Sequence, residues 1–382
     1  MTRRICVVTG SRADYGYLYC PMRLIQEASG LTLQVAVTGM HLAPTFGETW
    51  REIEADGFKI DARVDSLIPG DSAQSVTKSF GRGVIGFADA LQRLEPDFLM
   101  VLGDRYEILA AVEAALIARI PVAHLAGGDT SEGAFDESMR HAITKMSHLH
   151  FVTNDGSAHR VRQMGENPAN IHQVGSSSLD FIKQLDFMTR AAFFDAIGLE
   201  PRERNLMVTF HPVTLDPTSS VSHALELQAA LEALGSDIGI IITGPNADTE
   251  GSALTKAMTD FAEGRSNVLF CESLGQTLYL NALNQVDVVV GNSSSGLYEA
   301  PTFGIPTVNI GDRQKGRLQA ESVLTCEPTR TEILSALQDA LSLDCSGTIN
   351  PYGDGKASPR IIAAIEAIED PNALLQKKFF NA

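Results

Sequence analysis

Three aspartates, Asp104, Asp129 and Asp136, lie in one short stretch, each at or just after the end of an apolar run. Two carboxylates in different environments can divide acid and base duties, although Asp beside Gly also serves simply as a turn or cap residue. Three arginines, Arg12, Arg105 and Arg313, likewise follow apolar runs. A lone arginine is ordinarily a surface ion-pair partner, but several at equivalent places can neutralise a diphosphate. His211, before Pro212, can donate to a phosphate or relay protons, or be a satisfied core histidine. Gly291-Asn292-Ser293-Ser294-Ser295-Gly296 follows an apolar run and precedes a helical pattern. Glycine there admits close backbone approach, hydroxyls and free amides donate, and a helix start favours an anion; the plainer alternative is an N-cap. Glu299 falls on the first turns of that expected helix, where it could accept from ribose hydroxyls or merely offset the helix dipole. His124, His141, His148 and His150 have spacings that match no common zinc motif, so they read as buried structural histidines and no metal is expected. No Walker-type Gly-Lys-Ser/Thr occurs, and the early Gly10-Ser11-Arg12 turn is not a GxGxxG, so a P-loop or nicotinamide fingerprint is absent after the first strand.

The elements that must hold these residues repeat along the chain. Short Val/Ile-rich runs occur at 5–9, 32–38, 98–102, 122–125 and 149–153, then at 206–210, 238–243, 267–271, 286–290 and 307–310. They are continuously apolar rather than alternating, as strands buried on both faces are. Amphipathic stretches such as 105–119 and 220–234 lie between them. Strand, helix, strand in repetition specifies α/β architecture with parallel sheets, and ligands of such sheets bind at the carboxyl ends of the strands. The candidate residues above sit at those ends. A charged, turn-prone segment at 198–204 divides the chain, predicting domains at 1–185 and 186–365, with a tail at 366–382 that crosses back to the first domain.

A chain of 382 residues with 44% hydrophobic and 20% charged residues has enough apolar material for two cores. Its net charge of −17 argues against nucleic acid, which needs a basic surface. It permits a phosphate ligand, because salt screens exposed charge beyond about 8–10 Å, provided the basic groups are local and inward-facing. Five scattered cysteines without metal-type spacing point to reduced thiols. The apolar run at the start is too short for a secretory signal, and no run approaches the ~20 residues of a membrane span. The expectation is a soluble cytoplasmic protein with no membrane partner.

Assembled, these residues resemble the hydrolysing UDP-N-acetylglucosamine 2-epimerases of bacterial sialic-acid pathways, and the epimerase half of the bifunctional animal enzyme. The resemblance is carried by Gly10-Ser11-Arg12-Ala13-Asp14-Tyr15-Gly16, Val35-Ala36-Val37-Thr38-Gly39-Met40-His41 and Leu102-Gly103-Asp104-Arg105. It continues through Arg140-His141-Ala142-Ile143-Thr144-Lys145-Met146-Ser147-His148, His211-Pro212-Val213-Thr214, Gly291-Asn292-Ser293-Ser294 and Gly311-Asp312-Arg313-Gln314. It implies two Rossmann-like domains facing a central cleft, the arrangement also used by many glycosyltransferases (GT-B-like). Carried over by position, Arg12, Arg105, His211, Asn246, Ser293, Ser294, Glu299 and Arg313 resemble residues that hold UDP, and Asp104 and Asp136 resemble catalytic carboxylates. One departure stands out. Where some members have His-Ile-Glu-Gly-Gly-Glu, this chain has His124-Leu125-Ala126-Gly127-Gly128-Asp129; a methyl group moves no protons, so Asp129 becomes the nearest substitute. The implied reaction is elimination of UDP followed by hydration, without metal or cofactor, in a homodimer or homotetramer. Two other substrates or activities share these residues: a UDP-2,4-diacetamido-2,4,6-trideoxy sugar in the same reaction, and glycosyl transfer to an acceptor. A non-catalytic nucleotide-sugar sensor would use the same binding groups without turnover.

Overall fold

The computed structural model describes residues 2–70, 72–130, 136–213, 220–245 and 251–381. The chain divides into two compact units, Met1–Lys183 with Tyr352–Ala382, and Gln184–Pro351.

The first unit is built on seven strands: β1 (Arg3–Thr9), β2 (Leu31–Thr38), β3 (Ile60–Val64), β4 (Phe98–Leu102), β5 (Val122–Leu125), β6 (Leu149–Val152) and β7 (Ile171–Gln173). They lie in the order β3-β2-β1-β4-β5-β6-β7, all neighbours parallel, with Val7 opposite both Val35 and Met100. Alternation along β1 shows why its run is unbroken. Ile5 and Val7 enter a core shared with helices Arg12–Glu27 and Ala357–Glu366, while Cys6 and Val8 enter a second core with helices Ala73–Leu94 and Tyr106–Ala118. Period-two side chains with both faces covered leave no polar position, and each fully buried Val or Ile contributes about 1.5–3 kcal/mol.

The second unit carries β8 (Arg204–Thr209), β9 (Ile238–Thr243), β10 (Val268–Cys271), β11 (Val288–Gly291), β12 (Thr307–Ile310) and β13 (Val323–Cys326). Their order is β10-β9-β8-β11-β12-β13, again all parallel. Both sheets are therefore doubly wound, and each reverses its strand order at one point: between β1 and β4, and between β8 and β11. A crevice for ligands opens at such a switch point, outside the carboxyl ends of the strands.

The sequence places 352–365 with the second domain; in the structure these residues belong to the first. The buried Asp180 carboxylate accepts the backbone N–H groups of Ala357 (2.9 Å) and Ser358 at the start of helix Ala357–Glu366. Ile361, Ile362 and Ile365 of that helix then fill the first core. The return to the first unit thus comes before this helix rather than after it. No helix among the described residues is long and apolar enough to cross a membrane.

Candidate active site

At the first unit's switch point, β1 ends in Gly10-Ser11 and β4 ends in Gly103-Asp104-Arg105. Asp14, buried in the first turn of helix Arg12–Glu27, folds back onto the chain. It accepts from the Gly10 N–H at 2.7 Å, the Thr9 hydroxyl at 3.1 Å and the Ser11 hydroxyl. Gly10 is required by what lies beneath it: a Cβ there would come within 2.7 Å of Glu107 Cγ. Glu107 is buried, and its Oε1 accepts from Arg105 Nε, while Oε2 has no hydrogen-bond partner among the described residues. Burial raises its proton affinity and Arg105 works against that rise. Arg105 therefore arrives with part of its charge already answered. Arg12 is half exposed and lies 3.3 Å from Glu52, a surface pair that holds it only weakly.

The carboxylates meet on one helix face. Helix Asp136–Met146 presents Asp136, Arg140 and Thr144 at successive four-residue intervals, which is a single stripe. Arg140, buried, donates from its guanidinium to Asp104 Oδ2. Asp136 has its proton affinity raised by burial first and by the Asp104 charge second, with Arg105 and Arg140 pulling it down. Two neighbouring carboxyl groups, one ion-paired and one pushed toward its protonated form, can split acid and base roles. Arg140 had no assigned role in the sequence reading; its spacing from Asp136 was the available signal. The basic group facing inward here is Arg140, whereas Arg12 remains at the surface.

Asp129 is held differently. Its Oδ1 accepts from the Thr153 and Ser157 hydroxyls, both at 2.6 Å, so the carboxylate ties the end of β6 to helix Asp155–Gln163. Ala126, at the departure from the family pattern, has φ of +60°, a left-handed conformation that costs a non-glycine residue about 1–2 kcal/mol. Three of the four histidines are buried and hydrogen-bonded, whereas His141 is half-buried and meets Glu137 at 3.0 Å. His124 bridges Gly103 O (2.8 Å) and Thr144 (3.2 Å), His148 Nδ1 accepts from the Val122 N–H, and His150 meets Glu166 at 3.0 Å. Burial lowers the first to about 3 and the second to about 4, so both are neutral.

At the second unit's switch point, Asn292 stitches two strand ends together. Its side chain accepts from the His211 N–H (2.7 Å) and donates to the His211 carbonyl (2.9 Å). Its own carbonyl accepts from Arg313 (3.0 Å) and Gln314 (2.8 Å). Gly291 makes this closeness possible: at φ +129°, a Cβ would lie 1.9 Å from the Thr209 carbonyl oxygen. Burial, reinforced by Arg313, lowers His211 to about 3. Its imidazole is thus a neutral donor beside a cation. Ser293 and Ser294 lead into a helix that spans only Ser295–Tyr298 before a 3-10 turn at Ala300–Phe303, so Glu299 closes it instead of riding its first turns. Pro301 has no N–H to continue the α-helical pattern. Asn246 lies outside the described residues.

Comparison with known proteins identifies the family and the fold. Residues 23–366 match the family model described as UDP-N-acetylglucosamine 2-epimerase. The UDP-N,N'-diacetylbacillosamine 2-epimerase (hydrolyzing) of Legionella pneumophila is 35% identical over 378 residues, 99% of each chain. The UDP-N-acetylglucosamine 2-epimerase of Neisseria meningitidis serogroup B is 31% identical over 382 residues, again 99% of each. A UDP-GlcNAc 2-epimerase of N. meningitidis solved bound to UDP-GlcNAc superimposes with a TM-score of 0.73 at 18% identity, covering 96% of this chain and 100% of that one, a likeness of fold. With the matched model spanning nearly the whole chain, the protein belongs to the UDP-N-acetylglucosamine 2-epimerase family of enzymes.

Proposed function

We propose that this enzyme is a hydrolysing UDP-sugar 2-epimerase that converts UDP-N-acetylglucosamine and water to UDP and N-acetylmannosamine. The observation that carries the reading is the Asp136–Arg140 stripe facing Asp104 at the end of β4. One of the two carboxylates takes the proton from C2, the carbon bearing the acetamido group. The C1–O bond to UDP breaks, its electron pair leaving on the β-phosphate oxygen, and a C1–C2 double bond forms. Water then adds its hydroxyl at C1, and C2 regains a proton on the opposite face. Arg12, Arg105, Arg313, His211, Asn246, Ser293 and Ser294 are assigned to the diphosphate and uridine, and Glu299 to the ribose. Preorganised donors of this kind are each worth about 2.7–4 kcal/mol where charge develops on a leaving oxygen. Asp129, taken by two hydroxyls, is assigned to positioning rather than to proton transfer.

The L. pneumophila relative supports a second reading, the same reaction on the UDP-2,4-diacetamido-2,4,6-trideoxy sugar. Incubating the enzyme with each sugar nucleotide in heavy water decides among the readings. UDP release with one solvent deuterium at C2 of the freed sugar is expected, and the faster substrate is the natural one. Product without deuterium refutes the elimination; UDP release only when a sugar acceptor is added indicates a glycosyltransferase, and binding without release a sensor. The five thiols, all free, suit the cytoplasm. A homodimer or homotetramer would cover the exposed Ile85 and Ile117 on the packed helices Ala73–Leu94 and Tyr106–Ala118, and sedimentation velocity reads that mass.

A further inference from the structure

We infer that His124 and Thr144 form a positioning bridge that sets the separation of the two catalytic carboxylates, an inference that rests on the assignment of Asp104 and Asp136 to proton transfer. The geometry specifies the direction of each hydrogen bond. His124 Nε2 lies 2.8 Å from the Gly103 carbonyl oxygen, which only accepts, so Nε2 carries the hydrogen. Nδ1 is then the lone-pair nitrogen, and the Thr144 hydroxyl, 3.2 Å away, donates to it. The ring is fully buried on β5, between β4 and β6 in the sheet. Gly127 leaves the space: a Cβ there would stand 2.8 Å from His124 Nδ1 and 3.0 Å from Thr144 Oγ1.

What the bridge joins makes it more than a satisfied core histidine. Gly103 immediately precedes Asp104, and Thr144 sits two turns along the same helix face as Asp136. Arg140, between them on that face, reaches Asp104 directly. The result is a closed circuit running Gly103, His124, Thr144, the helix, Arg140, Asp104. The two carboxyl-bearing segments are thereby clamped twice, once through a charge pair at the reacting groups and once through a neutral imidazole behind them. A misplacement of about 1 Å in such a constellation can cost about 100-fold in rate. A neutral ring suits this place, because it holds both segments without adding a charge that would alter either carboxyl group.

Thr144→Val removes the donated hydrogen while keeping the shape, and Thr144→Ser keeps the hydroxyl. The expected result is a kcat about tenfold lower for Thr144→Val with KM within twofold of wild type, and near-wild-type kcat for Thr144→Ser, at melting temperatures that do not rank with activity. The titration of Asp136 followed by carboxyl 13C shifts, read without substrate, should move in Thr144→Val and not in Thr144→Ser, since Asp104, Arg105, Arg140 and Glu107 all act on that group. An Asp136 titration and kcat unchanged in Thr144→Val overturn the inference, as does an equal loss in both variants that tracks melting temperature. If wild-type enzyme leaves both sugar nucleotides intact, the proposed function fails. The bridge is then judged by the titration alone: one unmoved by Thr144→Val overturns it, and one moved only by Thr144→Val supports it.

Discussion

Replacing Arg140 with Met tests the centre of the proposed chemistry, because it deletes the guanidinium and keeps an unbranched stem of similar reach. The Arg140 side chain is 8% exposed and that of Asp104 19%. Removing one partner of a buried ion pair costs about 3–5 kcal/mol, mostly from the charge left unanswered. Asp104 keeps some access to water, so the lower end applies, about 3 kcal/mol. For a unit of this size that is a fall in melting temperature of roughly 6–12 °C. Arg140 also lowers the proton affinity of Asp136, so its loss leaves two carboxyl groups repelling each other and pushes Asp136 further up. The acid limb of kcat/KM should move to higher pH by about one unit or more, each unit corresponding to 1.36 kcal/mol. Turnover should fall about 100-fold or more, the contribution expected of positioned acid–base groups. Calorimetry and a pH profile of UDP release measure both effects. The double variant Arg140→Met with Asp104→Asn separates them, because a neutral pair restores most of the stability and none of the activity. Were Arg140→Met to melt within a degree of wild type with an unmoved acid limb, the ion pair would be incidental and the assignment of the carboxylates wrong.

Asp136→Asn should abolish turnover and stabilise the enzyme near neutrality. A folded-state proton affinity above the ordinary 3.8 means that ionising Asp136 opposes folding, so its favourable contribution exists below that value and is lost as pH rises through the raised one. Denaturant midpoints should therefore separate in favour of Asp136→Asn on the alkaline side and converge on the acidic side; a constant difference at all pH values contradicts the sign. UDP binding should take up protons increasingly as pH falls toward 5, because a diphosphate beside His211 raises a group held at about 3. Titration calorimetry in buffers of different ionisation enthalpy measures the uptake, and its persistence in His211→Asn would assign it elsewhere. Gly291→Ala should cost more than about 4 kcal/mol, since its Cβ meets a backbone oxygen at 1.9 Å, whereas Gly311→Ala, with open space at φ +71°, should cost about 1–2 kcal/mol. Similar melting temperatures for the two variants would refute the packing argument.

The central strands were legible because both faces of each are buried, so β1 and β8 read as unbroken apolar runs. The strands missed in the sequence, β3, β7 and β13, all lie at sheet edges. There one side is solvated, and Asp61 and Arg63 interrupt β3 while His172 and Gln173 dilute β7. Loops at the carboxyl ends were legible for a related reason: a chain leaving a buried strand must turn sharply, and glycine followed by a polar residue marks the turn. Partnership was not legible. Nothing in the sequence pairs Arg140 with Asp104 or Arg105 with Glu107 in preference to the surface acids around them. The short helix at Ser295 was overestimated because its apolar continuation is broken by Pro301. The second-domain boundary was misread because the anchor of helix Ala357–Glu366, Asp180, is far away in sequence.

The two sheets share the order that places a reversal beside their first strand, yet the residues presented there differ in kind. The second unit gathers a neutral histidine, a hydroxyl pair and an arginine fixed by Asn292, all of them donors. The first gathers Asp14, Glu107, Asp104 and Asp136, and its Arg105 and Arg140 are paired with carboxylates. A donor-rich end stabilises a leaving diphosphate, and an acid-rich end with uneven proton affinities moves a proton to and from carbon. One backbone plan, used twice, thus presents donors in one unit and acids in the other, because the switch point fixes where polar groups gather and leaves their sign to the side chains. A net charge of −17 does not oppose this, since the groups that would meet the diphosphate are set by local geometry and the remaining acids are screened by salt.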